Sequence, residues 1–136
     1  MELDEARRFV ADHHHAVMHT YREDGSPQLS PVAVTIDGDG DAVVSTRETS
    51  VKVTNLARDP RTSLCVFTDR FFGPWIRIDG DADIVHLPDA MDGLIDYYRR
   101  VAGEHDDWAD YRRAMIDERR VLVRIRLTAA GPDISG

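Results

Sequence analysis

The chain has one lysine and one cysteine in 136 residues, no long apolar run, and fewer cations than anions. Each shortage excludes something. A lone cysteine, Cys65 in "TSLCVF", cannot form an internal disulfide, and its apolar neighbours on a strand-like run predict a core residue rather than a nucleophile. A formal charge of −8 has the wrong sign for a general nucleic-acid binder, whose affinity rests on neutralising many phosphates. No stretch approaches the roughly 18 apolar residues of a membrane span, and "MELDEARRFV" lacks the basic and apolar regions of a secretory leader, so no membrane partner is expected and the cytoplasm is the expected compartment. The sequence also lacks a Gly-x-Ser-x-Gly elbow, a P-loop and a Rossmann glycine pattern, which removes the common hydrolase, kinase and NAD-site readings.

What is present has the composition of a soluble globular protein, 42% hydrophobic and 31% charged, and no repeat, linker or composition break divides it. One domain over residues 1–136 is the expectation. "LDEARRFVADH" spaces Leu3, Ala6, Val10 and Ala11 for a helix with acids in its first turn. "AVMHTY" and "QLSPVAVTID" read as strands around the turn "REDGSP", and "DGDGD" turns the chain into a further strand, "AVVST". "TSVKVTNLARD" predicts a short helix capped by Thr49 or Ser50. "PRTSLCVFT" and "WIRIDGDADIVH" are strands separated by the loop "DRFFGP". Residues 88–103 and 106–120 are helical, with Pro88 near a first-turn position, and "RVLVRIRLTA" alternates as a half-buried closing strand. Five or six short antiparallel strands with helices inserted late do not build a doubly wound parallel sheet. They predict a mainly β fold with peripheral helices, closed as a small barrel.

The one lysine, Lys52, sits in "RETSVKVTNLARDPR" at the predicted start of the short helix. Backbone N–H groups left unpaired in a first turn, nearby hydroxyls and a flexible ammonium together favour a phosphate, with Arg47 placed to join from the preceding loop. A capped surface helix with a solvated lysine is the commoner use of such a segment. Metal sites fare worse. Asp37, Asp39 and Asp41 lack the flanking helices of a calcium loop, and the adjacent histidines 13–15 point in different directions without a Cys or Glu cluster.

"DGSPQLSPVAV", "VTNLARDPRTSLCVF" and "YYRRVAGEHDDWADYRRAMIDERRVLVRI" together resemble the split β-barrel flavin and deazaflavin oxidoreductases, the superfamily that includes pyridoxamine phosphate oxidase. The resemblance runs colinearly from about Ala16 to Ile125. Asn55, Leu56, Arg58, Asp59, Pro60 and Arg61 form its widespread "NLxRDPR" signature. "GEHDDWADYRRAM" is similar to a helical insertion in an actinobacterial subgroup of small homodimers that use the deazaflavin coenzyme F420, although Trp108, Tyr111 and Met115 also have the spacing of core or dimer contacts.

The resemblance implies a homodimer with a cofactor groove between two barrels, and an F420H2-dependent reductase acting on a small electron-poor substrate. Alternatives on the same scaffold are an FMN-dependent oxidoreductase and a non-catalytic cofactor or tetrapyrrole binder. It implies that Lys52 and Asn55 hold the cofactor's phosphate tail, that Gln28 and Ser30 lie beside the ring, that Ser45 and Thr46 lead into the phosphate site, and that Arg120 faces the same groove. Close relatives often carry arginine two residues before the lysine, where this chain has Ser50, so either Arg47 substitutes from the preceding loop or the site's affinity is modest. No catalytic side chain is nominated, because the cofactor carries the chemistry.

Overall fold

The structure is a computed structural model that describes residues 1–132. Its elements in chain order are α1 (Leu3–Asp12), β1 (His15–Tyr21), β2 (Pro27–Ala33), β3 (Thr35–Ile36), β4 (Ala42–Arg47), α2 (Val51–Arg58), β5 (Arg61–Phe67), β6 (Trp75–Val85), α3 (Met91–Ala102), α4 (Trp108–Asp117) and β7 (Arg120–Gly131). The seven strands form one antiparallel sheet in the order β2-β1-β5-β6-β7-β4-β3.

That order closes the sheet on itself. β2 and β3 are its two opposite edges, yet a single residue, Val34, joins them. One residue spans only about 3.3–3.6 Å, so the edges must meet and the sheet must curl into a split barrel. Val34 is held at the seam by its amide, which donates to the carbonyl oxygen of His14 at 2.8 Å, and by its own carbonyl, 2.8 Å from His14 Nδ1. The sequence predicts one strand over residues 28–37 because Val34, Thr35 and Ile36 are strand formers with no breaker among them. The chain stays extended there and changes partners.

The barrel interior takes alternate residues of every strand, including Met18, Leu64, Ile78, Val44, Val123 and Ile125, and α1 and α2 add Ala6, Val10 and Leu56 to it. A second apolar cluster lies outside the barrel wall, where Leu94 and Ile95 of α3 and Tyr111 and Met115 of α4 cover Val43 and Leu122. Both faces are therefore buried over Ala42–Val44 of β4 and Val121–Val123 of β7, the short apolar runs within otherwise mixed strands. Pro88 lies in the turn before α3, which begins three residues later at Met91.

No helix covers the outer face of β2, β1, β5 and β6. Cross-strand partners point to the same side, so Leu29 and Pro31, His19 and Val17, Ser63 and Cys65, and Phe67 and Trp75 share this bare wall. Leu29 is 62% exposed, and Phe71 and Phe72 of the β5–β6 loop are more exposed still. Cys65 is thus not a core residue as its neighbours predicted. It is half-buried on the outer wall, and burial pushes its thiol pKa up.

β6 and β7 pair with a register shift at Asp79/Gly80, leaving Thr128 as the extra residue of a bulge. Gly80 points inward there, and a Cβ at this position would collide with the Arg126 carbonyl oxygen and the Ile125 side chain. Backbone cannot move aside as a flexible side chain can. Gly80→Ala is expected to cost about 1–3 kcal/mol, as overpacking does, read as a lower urea midpoint at unchanged slope.

Candidate functional site

The sequence places its basic residues near one end of β4, and the fold gathers them there. Arg47, the last residue of β4, stands opposite Arg120, the first of β7, and both point to the outer face of the wall with Ser45. Two guanidiniums side by side need a counter-charge, and Glu118 supplies it. Its Oε1 accepts from Arg120 Nη2 at 2.8 Å and Nε at 3.2 Å, and lies 3.5 Å from Arg47 Nη2. Those hydrogen bonds, Arg120's first, hold the Glu118 carboxyl below the usual glutamate pKa.

Lys52 enters from the first turn of α2. It is half-buried, and among the described residues it has no hydrogen bond or ion pair, so its nearest charged influence is a like one. Burial, and then the neighbouring Arg120, push its ammonium pKa down. The N-cap is Ser50, whose side chain makes no capping bond to the helix and instead accepts from Thr46 Oγ1 at 3.3 Å. First-turn amides, a partnerless ammonium and two arginines sharing one carboxylate form a concentration of positive charge on an otherwise acidic protein. Such a cluster is stabilised by a bound anion.

Tyr97 of α3 braces the strands behind this cluster. Its hydroxyl donates to the Ala33 carbonyl oxygen at 2.9 Å, and burial raises its pKa above the ordinary tyrosine value. The sequence signalled neither Tyr97 nor Glu118. Glu118 in "DERR" looks like a solvated helix end, and its partnership with Arg120 follows only from the turn into β7.

Asn55 lies one turn after Lys52 but is buried and internally used. Its Nδ2 donates to Thr20 Oγ1 at 3.1 Å, its Oδ1 accepts from Arg58 Nη2 at 3.1 Å, and Arg58 also reaches the Tyr21 carbonyl oxygen. Thr20 Oγ1 in turn donates to Gln28 Oε1 at 3.3 Å. A polar chain therefore runs from β2 through β1 to α2, linking two sets of residues that the resemblance placed around one cofactor. Ser30, two residues from Gln28 on the same inward side of β2, has a buried hydroxyl with no partner. Among the described residues Ser30 thus joins Lys52 as a polar group withdrawn from solvent without a partner.

The remaining sequence candidates find local uses. His14 is tied to Val34, and His105 accepts from the amide of Asp107, the N-cap of α4, while packing against Tyr98, Trp108 and Tyr111. Tyr111 and Met115 are buried in the outer cluster, with Trp108 partly buried beside it. Asp37 Oδ1 accepts from the amides of Asp39 and Asp41, which is hairpin turn chemistry. Trp75 is half-buried and lines an open hollow of about 490 Å³ with Phe67, Phe71 and Phe72, on the bare wall and not at the Lys52 cluster.

Residues 3–131 match the family described as pyridoxamine 5'-phosphate oxidase, nearly the whole chain. The chain belongs to that family. Among solved structures it is similar to a conserved hypothetical protein from Mycobacterium tuberculosis, at 27% identity over 96% of this chain and 82% of that one, with a TM-score of 0.76. An F420 reductase is similar at 23% identity over 87% of this chain and 89% of the other, with a TM-score of 0.65. The heme storage protein HutZ from Vibrio cholerae is similar at 16% identity, over 96% and 94% of the two chains, with a TM-score of 0.71. The last two likenesses show a shared fold, and one that serves different ligands. Membership in the pyridoxamine 5'-phosphate oxidase family therefore establishes the scaffold and leaves the ligand to the site.

Replacing Asn55 tests its structural use. Asn55→Ala leaves the buried Thr20 hydroxyl without a donor, and is expected to lower stability by about 1–3 kcal/mol, measured by urea or thermal unfolding without ligand.

Proposed function

We propose that this protein is an F420H2-dependent reductase that binds the cofactor's phosphate at the Lys52 cluster and reduces a small electron-poor organic substrate. The observation that carries the reading is Lys52 itself, a half-buried ammonium at the head of α2 with no partner among the described residues and under the like charge of Arg120. An unpaired buried charge is costly unless something pairs it, and a phosphate at a helix N-terminus does so with the help of the first-turn amides. The residues present fit a phosphate-bearing group. Lys52 supplies the point charge, Arg120 and Arg47 supply guanidiniums, and Ser50 stands where relatives carry a further arginine. The β2 strand that carries Gln28 and Ser30 lies beside the ring in this reading and meets it through its backbone, since both side chains point into the barrel.

When bound, reduced deazaflavin supplies the hydride, and the chain's residues bind and orient it over the substrate. The preference for F420 over FMN rests on the likeness of residues 103–115 to an F420-using subgroup. The fold shared with an F420 reductase supports the scaffold. FMN is the competing ligand, since its phosphate suits the same cations.

The bare outer wall supports a homodimer, placed in the cytoplasm in this reading. α3 and α4 cover one half of the barrel, and the other half presents Leu29, Val17, Cys65, Phe67 and Trp75 without cover. A second copy is the occupant favoured here, because two barrels packed on these walls create the groove that the family's cofactors require. Sedimentation at micromolar concentration is expected to give a dimer. Phe72→Asp, at a side chain 94% exposed in the single chain, is expected to shift the species toward monomer without changing the circular dichroism spectrum. A wild-type monomer would sink the composite groove.

The ligand is tested by titrating wild type and Lys52→Ala with F420 and with FMN, followed by cofactor fluorescence. Selective F420 binding, weakened about ten- to a hundredfold in the variant, is expected from loss of a charge-assisted contact of about 1.5–3 kcal/mol. Preference for FMN moves the protein to the flavin branch, and equal affinity in the variant removes Lys52 from the site. The pH profile has a definite sign. With the free ammonium's pKa held down, affinity is complete below that value and lost as pH rises through it, so the decline starts at lower pH than for an ordinary lysine.

A further inference from the structure

At the end of β4, beside a separate Arg119–Glu48 pair, Lys52, Arg47 and Arg120 have one carboxylate among them, Glu118, and it is unevenly shared. A single oxygen of Glu118 takes both Arg120 contacts and the approach of Arg47, while Lys52 receives nothing from it. With Glu118 ionised, Lys52, Arg47 and Arg120 are left with two net positive charges. The carboxylate is only 32% exposed, so solvent screens it incompletely. Its position is also fixed from the backbone. The Glu118 amide donates to Ala114, and the turn that follows is pinned by the Glu48 amide donating to the Arg119 carbonyl oxygen at 2.8 Å. Arg119 holds a φ of 54°, and its guanidinium reaches Glu48.

From this arrangement we infer that Glu118 is a specificity-determining residue: a built-in negative charge that biases the cation cluster toward a phosphodiester, with one charge, and against a phosphomonoester, with two. The inference rests on the reading that this cluster holds the cofactor's phosphate. A ligand phosphate drawn to Lys52 and Arg120 is repelled by the carboxylate already held on Arg120. Coulomb repulsion scales with the product of the charges, so a dianion feels it about twice as strongly as a monoanion. Binding also has to share the Arg120 guanidinium with its existing partner.

A ligand series differing only in charge tests the inference: FMN, its 5'-methyl phosphate ester and riboflavin, with the same ring and phosphate charges of two, one and none near pH 7.5. Binding is followed by flavin fluorescence at low ionic strength in wild type, Glu118→Gln and Lys52→Ala. Glutamine keeps an oxygen for Arg120 and removes only the charge. Glu118→Gln is expected to tighten FMN about tenfold and the methyl ester about threefold, leave riboflavin unchanged, and lose most of these gains in high salt. Equal gains for FMN and the ester, no gain for either, or gains that survive high salt would overturn the role assigned to Glu118. So would a variant that still admits no flavin phosphate. Lys52→Ala separates the two levels: charge-dependent weakening there, with Glu118→Gln silent, leaves the phosphate site standing and removes only Glu118. Unchanged binding in Lys52→Ala removes the site itself.

Discussion

Closure of the sheet through Val34 is the constraint on which the rest of the structure depends. A strand that leaves one edge of a sheet and joins the opposite edge one residue later has no open arrangement available. Once the barrel is shut, the interior holds one apolar core, filled from the strands and two helices, with the Gln28–Thr20–Asn55 polar chain at its side, and the strand ends are brought into a fixed relation. β4 and β7 come from distant parts of the chain, yet their pairing puts Arg47 opposite Arg120. Two guanidiniums would not be placed together by local preference. The register imposes it, and Glu118 offsets it.

The same closure divides the outer wall in two. The β4–β7 side is covered by α3 and α4, which is why Tyr111 and Met115 are buried there, while the β2–β1–β5–β6 side keeps an apolar surface of its own. The cation cluster lies on the covered side, the aromatic hollow of Phe67, Phe71, Phe72 and Trp75 on the bare side. A single chain thus presents its anion-attracting end and its apolar face on different parts of the barrel. Within one chain, a single small ligand therefore does not reach both.

Much of this was legible in sequence where one physical signal acted alone. Helical spacing located α1, α3 and α4, turn residues located both hairpins, and the helix start beneath Lys52 followed from "TSVKV". The misses came where two signals conflicted or where tertiary pairing decided. Val34 carries no break signal because the chain there stays extended. Cys65 shares its face of β5 with Arg61 and Ser63, so alternation against the buried Leu64 and Val66 places it outward, and the apolar residues next to it in sequence masked that. Asn55 was assigned to a ligand by resemblance, and its buried contacts with Thr20 and Arg58 give it a structural use that spacing could not reveal. Glu118 was invisible because its partner at Arg47 is set by strand pairing across the length of the chain.

The single lysine can now be set against the arginines. Arg61, Arg77, Arg100, Arg113, Arg119 and Arg126 each pair with a carboxylate of the chain itself, through the rigid fork that suits a permanent planar partner. Lys52 makes no such pair and accepts partial burial beside a like charge. An ammonium on a flexible stem, with its carboxylate already claimed by others, stays available. Arg8, Arg112 and Arg124 also lack a carboxylate partner among the described residues, but Lys52 alone of these stands at a helix start under the like charge of Arg120, and in the reading proposed above a phosphate is its partner.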